Sequence, residues 1–221
     1  MSESQDLWQS VKSSVEHTHF TLGPYFGYQL VHTPRHLLFT LARYKFAAKM
    51  LPPGKKLNVL EMGCGEGVGT LMLAENGHKL TGVDFDGNAV QHAQESIVNE
   101  NIRFKEGDFL VYRDEPVDAV VSLDVIEHIE QDLEKAYCET VVENLTDNGF
   151  AIIGTPNITA NQYASKPSQI GHVNLFSAER LHELFSQYFH NVFNFGMNDE
   201  VVHTGFYPMC HYLFVVACNK K

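Results

Sequence analysis

The chain has 221 residues, 44% of them hydrophobic, which suits one folded domain with a substantial core and a helical extension. Its formal charge of −11 works against a nucleic-acid partner, because binding a phosphate backbone needs clustered Lys and Arg. No apolar run is long enough to span a bilayer, Met1 to Gln9 lacks the basic-then-apolar order of a secretory leader, and Cys64, Cys138, Cys210 and Cys218 have no paired spacing; the expectation is a cytoplasmic protein with free thiols.

Residues 1–23 read as a polar lead-in that closes in the loop Leu22-Gly23-Pro24. An aromatic stretch, Tyr25-Phe26-Gly27-Tyr28, follows. Pro34 suits the first turn of a helix, His36 to Met50 continues it, and Pro52-Pro53-Gly54 ends it. Residues 1–54 therefore form an N-terminal helical extension before the main domain, 55–221. Two readings of the extension stand: a cap packed on the sheet, or a lid with Tyr25, Tyr28 and His32 facing a cleft.

The main domain opens on Val59-Leu60-Glu61-Met62-Gly63-Cys64-Gly65-Glu66-Gly67, a buried strand running into a glycine-rich turn. Val68 to Ala74 then carries apolar residues at helical spacing. Strand, glycine turn and helix N-terminus together make a nucleotide-binding corner. The dinucleotide fingerprint needs a glycine three positions after Gly65, and Val68 stands there, so a dehydrogenase is disfavoured.

A second strand, Lys79 to Phe85, ends in Asp84, and a carboxylate there suits the two hydroxyls of a ribose. Gly87 to Val98 is a helix. Arg103 to Phe109 is a third strand closing in Gly107-Asp108-Phe109, and Val117 to Val125 is a fourth, with Asp124 at its end and Ile126, Glu127 and His128 beyond. Asp132 to Leu145 is an amphipathic helix stopped by Asn148-Gly149. Phe150 to Gly154 is a fifth, apolar strand, and it enters a long loop, Thr155 to Asn174, of the kind that is usually functional. Ser177 caps a helix. Val192 to Phe195 and His211 to Ala217 are the last strands and form an antiparallel hairpin. The fold is α/β: a Rossmann-like, seven-stranded, doubly wound sheet with its last strand antiparallel and an N-terminal helical extension.

Glu61, Asp84, Asp108, Asp124 and Thr155 all fall at the carboxyl ends of parallel strands, where such sheets bind ligands. The glycine turn resembles the first motif of the class I S-adenosylmethionine-dependent methyltransferases, acid-x-Gly-x-Gly-x-Gly. From Arg43 to Leu181 the chain looks most like the ubiquinone-biosynthesis O-methyltransferases (the UbiG/Coq3 group). The resemblance implies a cofactor site in which Glu61, Gly63, Cys64 and Gly65 surround the methionine part and Arg43 meets its carboxylate. It gives the ribose to Asp84 beside Phe85. It gives the adenine to Asp108 and Phe109, and Leu123 is counted among the cofactor-binding residues.

Asp124-Val125-Ile126-Glu127-His128 and Gly171-His172 resemble segments of that group, and also the metal site of the Hen1-type small-RNA 2′-O-methyltransferases. That likeness implies a divalent cation, Mg, Mn, Fe or Zn, on Asp124, Glu127, His128 and His172. Without a cation, His128 or His172 serves as general base with Asp124 orienting it. His203 and Tyr207 are substrate-side candidates. The resemblance implies transfer of a methyl group from S-adenosylmethionine to a hydroxyl on a small molecule or sugar; an exposed sheet edge or the N-terminal helix offers a surface for a homodimer. N-methylation of an amine without metal and a non-catalytic cofactor-binding protein are the alternatives.

Overall fold

A computed structural model describes residues 3–15 and 20–221. The chain order is α1 (Glu3–Val15), α2 (Pro24–His32), α3 (Pro34–Met50), β1 (Asn58–Met62), α4 (Val68–Leu73), β2 (Lys79–Asp84), α5 (Gly87–Ser96), β3 (Ile102–Glu106) and β4 (Val117–Leu123). It continues with α6 (Glu134–Glu143), β5 (Leu145–Pro156), α7 (Lys166–Gly171), α8 (Ala178–Ser186), β6 (Phe189–Asn198), β7 (Val201–His203) and β8 (Tyr212–Lys220).

The strands form one sheet in the order β3-β2-β1-β4-β5-β8-β6-β7. The first five pair in parallel, and β8 runs antiparallel to both β5 and β6 between which it lies. The sheet is therefore Rossmann-like and doubly wound, with eight strands where seven were expected; the extra one, β7, is a three-residue return that pairs antiparallel with the end of β6. The order reverses at β1 and β4, so the crevice at their carboxyl ends is where a ligand is expected.

Side chains alternate across each strand, which splits the core in two. Val59, Ala119, Val121 and Phe214 pack with residues of α3, α4 and α5 on one face. Leu60, Met62, Val120 and Val215 pack with residues of α6 and α8 on the other. Among the described residues no helix is long and apolar enough to cross a membrane.

Four local expectations are corrected. Part of the polar lead-in, residues 3–15, is a helix, although it buries no side chain; residues 16–19 of that lead-in lie outside the described residues. The helix expected to reach Leu145 stops two residues earlier, because Asn144 ends it: its Nδ2 donates to the Thr140 carbonyl at 2.8 Å and to the Tyr112 carbonyl at 2.9 Å. Asn148-Gly149 lies instead in a bulge of β5, between Leu145, which pairs with Val117, and Phe150, which pairs with Ala119. The long loop after β5 holds a 3-10 helix, Ile158–Tyr163, started by Asn157, and then α7, started by Ser165, whose Oγ accepts from the Ser168 N–H at 3.2 Å. β3 ends three residues early, where Asp108 Oδ1 accepts from the Leu110 N–H at 2.8 Å and turns the chain.

Candidate active site

The glycine turn wraps the end of β2. Gly63 and Cys64 both donate to the Val83 carbonyl, and the Gly65 N–H donates to Asp84 Oδ2 at 2.8 Å. Gly63 has φ +85, and a Cβ there would lie 2.2 Å from Val125 Cγ2, so only glycine fits. Gly65 has φ +50, and a Cβ there would meet nothing within 4 Å. The turn therefore leaves open space over Gly65, a cradle that a ligand can fill.

Glu61 does not face that cradle. It shares the face of β1 with Val59, towards α4, and its Oε2 accepts from Thr70 Oγ1 at 2.5 Å. Burial lifts its carboxyl to about 7, with the hydroxyls of Thr70 and Tyr44 opposing the rise. The Cys64 side chain is likewise buried, against Gly82, so what Cys64 offers a ligand is backbone. Leu123 is buried in the core. Asp84 also accepts from the Asp86 N–H at 3.0 Å, which holds its carboxylate at the mouth of the cradle. Beyond it Phe85, 70% exposed, meets Phe109 edge to face with ring centroids 5.9 Å apart. Asp108 is exposed beside them.

A second group of residues gathers where β4 and β5 end. Glu127, His128 and His172 each bring one ligand atom within 4.8 Å of the other two. Ligand atoms around a tetrahedral ion at about 2.0–2.2 Å stand about 3.3–3.6 Å apart, so the three side chains must close by up to about 1.5 Å to hold one. Glu127 is fully buried; Oε2 accepts from Thr155 Oγ1 at 3.0 Å, and Oε1 has no partner. Burial, and then Asp124, hold its carboxyl above the usual range. His128 Nδ1 lies 2.8 Å from the Gly171 carbonyl. A carbonyl only accepts, so Nδ1 carries the hydrogen and a neutral His128 keeps its lone pair on Nε2, as in metal-binding histidines fixed by a backbone acceptor. The His172 ring stands 5.1 Å from it, and burial, then His128, lower the His172 pKa.

Asp124 lies outside this cluster. It adopts φ +57, which Asp tolerates better than most residues, and both its oxygens accept from Arg43 Nη1 at 2.7 Å. The Arg43 guanidinium rests on the Tyr212 ring, 4.1 Å from its centroid, and its Nε has no partner. Two residues assigned separate tasks by resemblance thus meet in one partly buried ion pair. Tyr207 spends its hydroxyl on the Asn194 carbonyl at 3.0 Å, and His203 Nε2 lies 3.4 Å from Cys210 Sγ. Tyr28 and His32 stack on each other at 4.5 Å.

Sequence reasoning missed two residues that position the site. Glu66, inside the glycine turn, accepts from the Tyr25 and Phe26 N–H groups at 2.6 and 3.0 Å and so caps α2. The signal was present, an acid aimed at a Pro-started helix, but it lies some 40 residues away in sequence. Tyr44 reaches over Gly69 to stand beside Glu61.

The model of a methyltransferase-domain family matches residues 59–149. The ubiquinone biosynthesis O-methyltransferase of Azorhizobium caulinodans is 33% identical over 121 residues, 53% of this chain and 47% of that protein. A probable S-adenosylmethionine-dependent methyltransferase of Mycolicibacterium smegmatis is 31% identical over 128 residues, 58% of this chain and 49% of that one. The chain spans about half the length of these relatives. Among solved structures, that of the small RNA methyltransferase HEN1 superposes with a TM-score of 0.67 at 20% identity, over 83% of this chain and 25% of that one, a likeness of fold. Residues 59–149 thus match a methyltransferase domain on a sheet of this order, and the chain resembles S-adenosylmethionine-dependent methyltransferases, the ubiquinone-biosynthesis O-methyltransferases among them.

Proposed function

We propose that the chain methylates a hydroxyl on a small molecule or sugar, with a divalent cation held by Glu127, His128 and His172. One observation carries the reading: a buried carboxylate oxygen without a partner stands beside two imidazoles, one already fixed by a backbone carbonyl. S-adenosylmethionine supplies the methyl group on a sulfonium, and a cation at this donor set would lower the pKa of the acceptor hydroxyl. Residues 55–221 carry the transfer, and residues 1–54 close over it through α2 and α3. The reducing, cytoplasmic setting expected from four free cysteines fits such an enzyme.

In this proposal the backbone of Gly63, Cys64 and Gly65 cradles the methionine part, above a turn that Glu61 braces from below. Asp84 binds the ribose, Phe85 and Phe109 flank the adenine, Asp108 takes its amino group, and Leu123 closes the core behind. Arg43 keeps Nε–H for the cofactor carboxylate while Nη1 holds Asp124. The acceptor oxygen attacks the methyl carbon, the carbon–sulfur electron pair stays on sulfur, and the hydroxyl proton leaves to a base. Without an ion, His172 is that base: its lowered pKa keeps it neutral at pH 7, and Asp124 is near enough to steady the charge it gains. An amine acceptor is the second reading, supported by Tyr25 and Tyr28, exposed aromatics on α2 that could surround a nitrogen.

Metal analysis of untagged, chelator-free protein tests the proposal. The expected result is close to one divalent ion per chain, lost in His172→Ala, with EDTA lowering the Tm measured in S-adenosylmethionine. Stabilisation by S-adenosylmethionine that EDTA does not alter, in protein free of metal, removes the cation and returns amines to the acceptor panel.

A further inference from the structure

Helix α7 ends at His172, and packing alone does not place that residue. The helix buries no side chain, and Val173 after it is 56% exposed. What holds His172 is a short arch, Gly171 to Asn174, bonded at both ends. At one end the Gly171 carbonyl meets His128 Nδ1 at 2.8 Å. At the other the Asn174 N–H donates to the Glu127 carbonyl at 3.0 Å. Between them His172 has φ −85 and ψ 83, and the Val173 N–H donates to the Gly171 carbonyl at 3.1 Å, an inverse γ-turn. Each end of the arch is thus tied to one of the other two members of the cluster.

The Asn174 end stands on a buried amide. Asn174 is 2% exposed. Its Nδ2 donates at 2.7 Å to Oε1 of Glu134, the first residue of α6, and its Oδ1 accepts at 2.9 Å from Nη1 of Arg180 on α8. A carboxylate accepts and a guanidinium donates, so these partners fix which way the amide points. Glu134 and Arg180 also pair with each other. Arg180 is itself held, since Nη1 donates to the Leu175 carbonyl at 3.1 Å and the guanidinium lies 4.0 Å from the centre of the Phe176 ring. Capping does not account for Asn174, because Ser177 caps α8.

We propose that Asn174 is a positioning residue: it locks the His172 arch to the ion pair between α6 and α8, and so sets the distance from His172 to Glu127 and His128. This rests on the cation reading above. The three side chains must close to hold an ion, and an arch anchored at Asn174 gives His172 a fixed point from which to close. Without the amide, Glu134 and Arg180 keep each other and the arch loses both side-chain anchors at that end.

The test uses the full chain, free of cofactor, and Co²⁺ as the probe, read by the visible absorption it gains on binding nitrogen and oxygen ligands. Asn174→Ala should weaken Co²⁺ binding at least about tenfold, as loss of an outer partner of a metal ligand does. Asn174→Asp sets a second carboxylate against Glu134 and should weaken it as much. Asn174→Asp combined with Glu134→Gln puts a donor opposite an acceptor again, leaves Arg180 a carboxylate and keeps the total charge, so it should recover the lost affinity. Cation-free NMR is the second readout. The His128 and His172 rings stand 5.1 Å apart, so their Hε1 signals, assigned with His172→Gln, report the spacing; they should shift in Asn174→Ala and return in the double variant. Single variants that lower Tm but keep wild-type Co²⁺ affinity and histidine signals make Asn174 structural and overturn the proposal. So does a folded double variant as weak as Asn174→Asp. Where Asn174→Ala does not fold, Asn174→Asp and the double variant decide. If the wild type takes up no Co²⁺ while the signals shift and return, the positioning stands and the cation reading is what fails.

Discussion

Glu61 supports the glycine turn from a position no ligand reaches, and its titration should be visible in the stability of the protein. Burial lifts its carboxyl from 4.5 to about 7, so the folded state keeps a proton that the unfolded chain has released. The sign follows: the stability this group contributes is complete below pH 4.5, declines as pH rises to about 7 and then levels. The gap between the two values corresponds to about 3 kcal/mol at most. Glu61→Gln keeps an oxygen for Thr70 and loses the titration, so urea unfolding at pH 4, 6 and 8 should show a shallower decline than wild type. Some decline should remain, since burial raises Glu127 in the same direction. A variant whose decline matches wild type would place the titrating group elsewhere.

At the scale of elements, α2 is tied to the glycine turn by one side chain. Its first N–H groups lack partners within the helix, and Glu66 accepts from two of them while its negative charge faces the positive end of the helix dipole. Glu66→Ala should cost about 1–2 kcal/mol, typical of losing a helix cap. Amide exchange should accelerate first in α2, and S-adenosylmethionine should bind more weakly, because the cap and the cofactor cradle share one turn. Unchanged exchange in α2 would mean that the helix is held by Phe26 alone. This contact also marks the limit of what the sequence makes legible. The parallel strands were readable because β1, β4 and β5 each hold a short apolar run, Val59-Leu60, Ala119–Val121 and Phe150–Gly154, and the acids at their ends follow from that order. The cluster of Glu127, His128 and His172 was readable as a pattern, because two of its members are neighbours in sequence. The Arg43–Asp124 pair was not, since it closes across 81 residues and each partner alone suited another task. The stop of α6 at Asn144 was hidden for a similar reason: the Tyr112 carbonyl that its side chain meets comes from a distant loop.

For the whole molecule, the net charge bears on whether RNA is a partner. The sheet resembles that of a small RNA methyltransferase. Yet a net charge of −11 repels a phosphate backbone, and RNA affinity grows with the number of phosphates that cations neutralise. One group of cations, Lys79, Arg103 and Lys105, does line a single cavity on β2 and β3. The same cavity holds Glu100, Asp114 and Glu115, and Lys105 is bonded to Asp114, so the group presents little free positive charge. The cavity also borders Asn58 and Lys79, the amino ends of β1 and β2, whereas the glycine turn and the His128–His172 pair lie at the carboxyl ends. A strand bound there would lie at the wrong end of the sheet to be methylated. Fluorescence anisotropy with a labelled RNA of roughly 20 nucleotides, long enough to engage several phosphates, should therefore show no saturable binding even at low salt. Saturable binding that weakens steeply as salt rises would reverse this. It would require a cation surface outside β2 and β3, and it would make a terminal ribose the acceptor in place of a free small molecule.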